Sequence, residues 1–218
     1  MVHVLPHWSF TPGATVPPIW VYTNGDEAEA FVNGVSIGRK PVPRFSHAEW
    51  AGVTFEPGSL SVVAYLRGAP HANVTVRTAG APAGLRLSFH DGVGADGLVA
   101  GCSDAALVKV EVVDAAGEVV PDAANEVTIS LSGATGAAYV AGTASGDATS
   151  LVNNKSPTRP VFHGLALGVI LAGDGEGTVV VSADSPGLAP AAPLQLPVAA
   201  PPAGWAATWC RQRQGAQL

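Results

Sequence analysis

The stretch Ala30-Phe31-Val32-Asn33-Gly34-Val35-Ser36-Ile37 sets an Asn-Gly pair between two β-prone runs. A two-residue type I′ turn needs positive φ at both central positions, and Asn-Gly adopts it at low cost, so the stretch reads as a β-hairpin. Outward from it, strands are expected over Ile19–Thr23, Ala28–Val32, Val35–Gly38, Trp50–Phe55, Leu60–Leu66 and Val74–Thr78. Pro57-Gly58 marks a second tight turn before Leu60. No apolar period of about 3.6 residues persists here over three turns.

The second half continues in the same way, with strands expected over Leu85–Phe89, Leu107–Val113, Val127–Leu131, Ala137–Ala141, Arg159–His163, Ala166–Leu171, Thr178–Ser182 and Leu194–Val198. That spacing is the pattern of a β-sandwich. Within Leu107–Val113 the charged Lys109 and Glu111 alternate with apolar residues, which predicts one face in the core and the other in water. From Ala199 onward the Pro/Ala/Gly-rich segment has no periodicity, and residues 199–218 are expected to form a disordered tail that Trp205 and Trp209 could dock locally.

Composition agrees with an all-β chain. Of 218 residues, 47% are apolar and 13% charged, while 26 Gly and 18 Pro punctuate the sequence with turns. The net charge of -6 supplies no basic field for phosphate backbones or anionic lipid, so neither nucleic acid nor a membrane surface is an expected partner. No apolar run approaches the ~18–20 residues of a membrane span, and the opening MVHVLPHWSF lacks the features of a secretory signal. Five basic and five acidic side chains lie in residues 1–77 against four and twelve in 78–198, and nine of the fourteen aromatics precede residue 77. This asymmetry predicts two domains, 1–77 and 78–198.

The sequence has no HExxH and no P-loop, and no cofactor is implied. Asn125-Glu126 imitates a glycosidase acid/base pair but opens a sandwich strand, with no second carboxylate supplied across a sugar-sized cleft. His3, His7 and His47 with Glu49 lack the spacing of a shared ion site. Asp91, Asp96, Asp104, Asp114, Asp122, Asp147, Asp174 and Asp184 fall in turns without a DxDxDG pattern, so turn chemistry accounts for them. Cys102 and Cys210 show no CxxC spacing; their pairing is weakly favoured because Cys210 lies in the terminal tail. Asn73-Val74-Thr75 matches a glycosylation acceptor, relevant only in a secretory compartment. Trp8, Trp20 and Trp50, with Tyr22, could offer flat rings to the C–H face of a pyranose, although large aromatics more often fill the cores of small sandwiches.

His3-Val4-Leu5-Pro6-His7-Trp8, Pro18-Ile19-Trp20-Val21-Tyr22-Thr23-Asn24 and Glu29 through Lys40 resemble the region just after the catalytic barrel in glycoside hydrolase family 2 β-galactosidases. Trp50 through Tyr65, with its Glu56-Pro57-Gly58 turn, fits the same region. Val110 to Gly117, Gly146-Asp147 and Phe162-His163-Gly164-Leu165-Ala166 resemble the next, immunoglobulin-like domain of those enzymes, with Leu98–Ala106 looking like an insertion and Ser145 standing where the family usually has Asn. The resemblance implies an all-β fold of two tandem immunoglobulin-like antiparallel β-sandwiches. It also implies a C-terminal accessory region that supports a (β/α)₈ barrel absent from this chain and is inactive alone, since both catalytic glutamates of the family sit on that barrel. The alternative is a free-standing carbohydrate-binding or adhesive module. Residues 1–20, with Val4, Leu5, Trp8, Phe10 and Ile19 and almost no charge, are expected to be exposed as the apolar edge that a barrel would cover.

Overall fold

The computed structural model describes residues 1–101 and 104–202. The expected pairing of Cys102 with Cys210, and the docking of Trp205 and Trp209, lie outside them. The chain divides into two compact units, Met1–Gly80 and Ala81 onward. Both are built of strands, and no helix among the described residues is long and apolar enough to cross a membrane.

The first unit comprises β1 (Val2–Leu5), β2 (Ile19–Thr23), β3 (Glu27–Val32), β4 (Val35–Pro41), β5 (Ala48–Trp50), β6 (Ser59–Leu66) and β7 (Ala69–Arg77). They form a three-stranded sheet, β1-β2-β5, and a four-stranded sheet, β4-β3-β6-β7, both antiparallel. Period-two alternation decides what is buried: Ala28, Ala30 and Val32 of β3 and Leu60, Val62 and Ala64 of β6 point inward. The small alanines share the core with Trp8 and Phe55, a mixture of sizes that lets facing layers interdigitate.

The hairpin forms as expected, with Asn33 at φ 50 and Gly34 at φ 83 and Val32 opposite Val35. Its turn also ties to the second one. Asn33 Nδ2 donates to the Pro57 carbonyl at 3.2 Å, and its Oδ1 accepts the Ser59 N–H at 2.8 Å. Gly58 is required there, because a Cβ would stand 1.9 Å from Asn33 Oδ1.

Two expectations for this unit are corrected. Residues 1–20 are not an exposed apolar edge: Val4, Trp8, Val16 and Ile19 are buried in the unit's own core, and Val2–Leu5 pairs with β2 as an edge strand. The strand expected at Trp50–Phe55 instead ends at Trp50, since Gly52 turns the chain at φ 72 and only the Thr15–Thr54 bridge continues the pairing. The segment 43–46 is a tight turn closed by the Ser46 N–H on the Pro43 carbonyl at 3.0 Å, with Phe45 at φ 62.

The second unit contains β8 (Gly84–Phe89), β9 (Leu98–Val99), β10 (Ala105–Val113), β11 (Glu126–Gly133), β12 (Ala138–Ala144), β13 (Thr158–Pro160), β14 (Leu165–Ala172), β15 (Gly177–Asp184) and β16 (Leu194–Ala199). Its sheets run β12-β14-β10-β8 and β13-β11-β15-β16-β9. One pair departs from the antiparallel rule: β9, inside the stretch that looked like an insertion, runs parallel to β16. The strand expected over Arg159–His163 stops at Pro160, and His163 (φ 51) and Gly164 (φ 75) form a second tight turn into β14.

Two buried ionic side chains were not anticipated. Glu111, expected in water, is 6% exposed; Arg86 Nε reaches it at 2.7 Å and Lys109 Nζ at 3.0 Å. Burial alone would push its carboxyl up, but the hydrogen bonds from Arg86 and Lys109 outweigh burial and hold it below the usual carboxylate value. Arg159, 3% exposed, is held by neutral acceptors: Thr143 Oγ1 at 3.2 Å, Ser150 Oγ at 3.2 Å, the Val152 carbonyl at 3.2 Å and Asn154 Oδ1 at 2.8 Å. Its guanidinium thereby organises the loop between β12 and β13.

Replacing Gly34 by Val should destabilise the first unit by about 1–2 kcal/mol or more, because a β-branched residue resists positive φ; an unchanged urea midpoint would contradict the turn. Glu111→Gln should lower the urea midpoint of the second unit at pH 7. A carboxyl lowered by folding stabilises fully above its unfolded value and loses that contribution as pH falls through the native one. The gap between variant and wild type should therefore close below about pH 4.

Candidate functional site

In β2 the inward side chains Ile19 and Val21 are fully buried, which turns Trp20 and Tyr22 to the outer face of the three-stranded sheet. Register places Leu5 and Glu49 on either side of Trp20, and His3 beside Tyr22. The His47 ring sits 4.9 Å from Trp20 and 5.3 Å from Tyr22, and Trp20 Nε1 donates to Glu49 Oε2 at 3.1 Å. Trp20 is 39% exposed and Leu5 42%. The result is a small aromatic face with one carboxylate at its margin.

The other two tryptophans proposed as sugar contacts are placed elsewhere. Trp8 is fully buried, edge-on to Phe55 at 5.3 Å with its N–H on the Glu56 carbonyl at 3.1 Å. Trp50 is 3% exposed, its N–H donating to the Gly38 carbonyl at 3.2 Å while Lys40 Nζ lies 5.3 Å over the ring. Neither ring offers a face to a ligand, because each is spent on the core and its one polar atom is satisfied there.

The remaining motifs resolve into local structure. His7 stacks on Phe10 at 4.6 Å, His47 lies 3.9 Å from Glu49 Oε2, and no group of three or more metal-ligating side chains forms among the described residues. Asp114 accepts the N–H groups of Ala116 and Glu118, and Asp147 that of Thr149, as turn residues do. Glu126 stands exposed at the start of β11, opposite Pro160.

The outer face of the four-stranded sheet contrasts with the aromatic one. Tyr65 and Ser36 both donate to Glu29, at 3.0 and 2.6 Å, Arg39 pairs with Glu27, and Arg39 also covers the Tyr65 ring at 3.7 Å. The bonds from Ser36 and Tyr65 lower the Glu29 carboxyl, and the bond to Glu29 raises the Tyr65 hydroxyl. Polar groups there satisfy one another beside the half-buried Phe31 and Val63, whereas rings dominate the Trp20 face.

A family described as glycoside hydrolase family 2 C-terminal domain 5 matches residues 93–192, and a domain of unknown function matches residues 14–72. A β-galactosidase of Bacteroides ovatus is 36% identical over 191 residues, which is 86% of this chain and 21% of that protein. The chain belongs to the C-terminal accessory region of glycoside hydrolase family 2. A β-glucuronidase of Formosa agariphila is 30% identical over 187 residues, 85% of this chain and 18% of that protein. The crystal structure of a β-glycosidase from Bacteroides vulgatus superposes with a TM-score of 0.80 at 26% identity, covering 90% of this chain and 24% of that one. The family 2 accessory region described here therefore spans about a fifth of the length of the curated relatives it matches.

Trp8→Ala should cost about 3–5 kcal/mol by urea unfolding, the range for deleting a buried aromatic, whereas Trp20→Ala should cost under about 1 kcal/mol. Similar losses at the two positions would contradict their assignment to core and surface.

Proposed function

We propose that this accessory region serves a glycosidase that hydrolyses a β-galactoside or β-glucuronide, and that it packs against the catalytic barrel through the face built by Trp20, Tyr22, His47 and Leu5. The observation that carries the reading is the difference between the two outer faces of the first unit. One carries a hydrogen-bond network on Glu29 around the half-buried Phe31 and Val63, and the other presents partly exposed rings that gain by leaving water. The acid/base and nucleophilic carboxylates would come from the barrel. This region would hold the barrel's orientation and the wall of its cleft.

A second reading is favoured by one feature of the same face. An open indole flank beside a carboxylate, here Trp20 and Glu49, is the pairing of flat apolar surface and hydrogen-bond acceptor that engages a pyranose.

Grafting the chain in place of the corresponding fifth of the Bacteroides ovatus β-galactosidase tests both. The graft is expected to retain turnover of a chromogenic β-galactoside, and Trp20→Asp in the graft to lower its thermal midpoint by several degrees with a fall in activity. A graft indifferent to Trp20→Asp would overturn the packing role. Quenching of tryptophan fluorescence by methyl β-galactoside in the free chain, lost in Trp20→Ala, would support the sugar-binding reading instead.

A further inference from the structure

Asn33-Gly34 has a second chemistry besides its turn. An asparagine side-chain amide followed by glycine is open to attack by the glycine's backbone nitrogen, which no Cβ shields. The chain carries two such pairs, Asn24-Gly25 and Asn33-Gly34, and both asparagines are exposed. The fold holds them differently. Asn24 sits in the bend after β2, where its Oδ1 accepts from the Met1 ammonium at 2.6 Å and from His71 Nε2 at 3.2 Å. Asn33 is held at both ends of its amide, Nδ2 on the Pro57 carbonyl and Oδ1 on the Ser59 N–H. Its backbone is committed as well, since φ 50 at Asn33 and φ 83 at Gly34 belong to a type I′ turn.

We propose that Asn33 is a deamidation site gated by the fold, shut while the hairpin is formed and reactive when it opens. In the open chain the Gly34 nitrogen loses its proton and bonds to Asn33 Cγ; the Cγ–Nδ2 bond breaks, and Nδ2 takes up a proton and leaves as ammonia, closing a succinimide ring. Water then adds to either ring carbonyl and breaks its bond to nitrogen, leaving aspartate or isoaspartate with no change of oxidation state. Ring closure needs Cγ brought to the Gly34 nitrogen by rotation about the Asn33 Cα–C bond. In the hairpin that rotation would pull Val32 from Val35 and the amide from Pro57 and Ser59. The formed turn therefore withholds the reactive geometry even though water reaches the residue. The product cannot rebuild the tie between β3 and β6. An aspartate presents only acceptors where Nδ2 donated to the Pro57 carbonyl. An isoaspartate adds a methylene to the backbone of a two-residue turn that sets register.

Peptide mapping with isoaspartyl methyltransferase labelling of the 218-residue chain, held at mildly alkaline pH in buffer and in urea above the unfolding midpoint, tests this. In urea Asn24 and Asn33 should lose ammonia at comparable rates, since each is then an unconstrained Asn-Gly pair. In buffer Asn33 should react at least about tenfold more slowly than in urea, in proportion to the fraction of time the hairpin is open. Gly58→Ala, whose Cβ displaces the Asn33 amide, should speed the reaction at Asn33 in buffer at least about threefold. Should that variant misfold, Thr78→Val, which removes the hydroxyl that accepts the Gly58 N–H at 3.0 Å, should do the same with the strand signal in circular dichroism retained. In Asn24→Gln, where Asn33-Gly34 is the Asn-Gly pair that remains, chain modified in urea and returned to buffer should unfold at a lower urea concentration than unmodified chain. Equal rates at Asn33 in buffer and in urea, folded variants that leave its buffer rate unmoved, or a modified Asn24→Gln chain with an unchanged midpoint would overturn the proposal.

Discussion

Register at the Asn33-Gly34 turn is the constraint on which the first unit depends. Side chains alternate between the two faces of a strand, so a slip of one residue along β3 would send Ala28, Ala30 and Val32 outward and bring Glu27, Glu29 and Phe31 into the core. The turn excludes that slip because only two residues, both at positive φ, connect the strands. Asn33 then does a second job. By bonding to the Pro57 carbonyl and the Ser59 N–H it fixes where β6 begins, and β6 is the neighbour of β3 across the sheet. One side chain thus sets the register of β3 with β4 as far as Phe31 and Ser36, beyond which a bulge shifts it, and the start of β6 beside β3, and the core containing Trp8 and Phe55 is assembled on that frame.

The second unit holds its shape at two buried charges rather than at a turn. A carboxylate or guanidinium withdrawn from water costs several kcal/mol unless its bonds are replaced. Glu111 replaces them with two cations, one from the neighbouring strand β8 and one from its own strand. Arg159 does so with hydroxyl, amide and carbonyl oxygens gathered from residues 143–154. Each arrangement converts a local penalty into a long-range tie: Arg86 also bonds the Gly117 carbonyl, so β8, β10 and the turn after β10 move as one.

Much of this architecture was legible in the sequence because it follows from periodicity and turn chemistry, which are local. The Asn33-Gly34 hairpin and the alternation of β3 and β6 are of that kind, whereas the relation to family 2 accessory domains was carried by the resemblance of motifs such as His3–Trp8 and Glu29–Lys40. What escaped was decided by non-local partners. Lys109-Val110-Glu111 alternates correctly for a half-exposed strand, yet Glu111 is buried because Arg86 on β8 roofs it. Val2–Leu5 is too short to announce itself and exists by pairing with β2. The parallel pairing of β9 with β16 joins residues about a hundred positions apart. For the candidate site, tryptophan content put Trp8, Trp20 and Trp50 on an equal footing, and only Trp20 is partly exposed; the alternation of Ile19-Trp20-Val21-Tyr22 could have singled it out, since its neighbours are the aliphatic residues a core requires.

The two units share a division of labour between their sheets. In each, one sheet turns a mostly polar face to water, through Glu29, Tyr65 and Arg39 in the first and serines and threonines of β11 and β15 in the second. The other sheet turns out side chains that water solvates poorly, the Trp20 cluster and the β14 row of Leu165, Leu167, Val169 and Leu171. A β-strand needs apolar residues on only one face to fold, so the second apolar face adds nothing to the stability of the isolated unit and carries a cost in solubility. The contact proposed between the Trp20 face and the barrel would account for its presence in the first unit. An accessory region acts in this way: no reactive group is required of it, and its specificity resides in which face is left open.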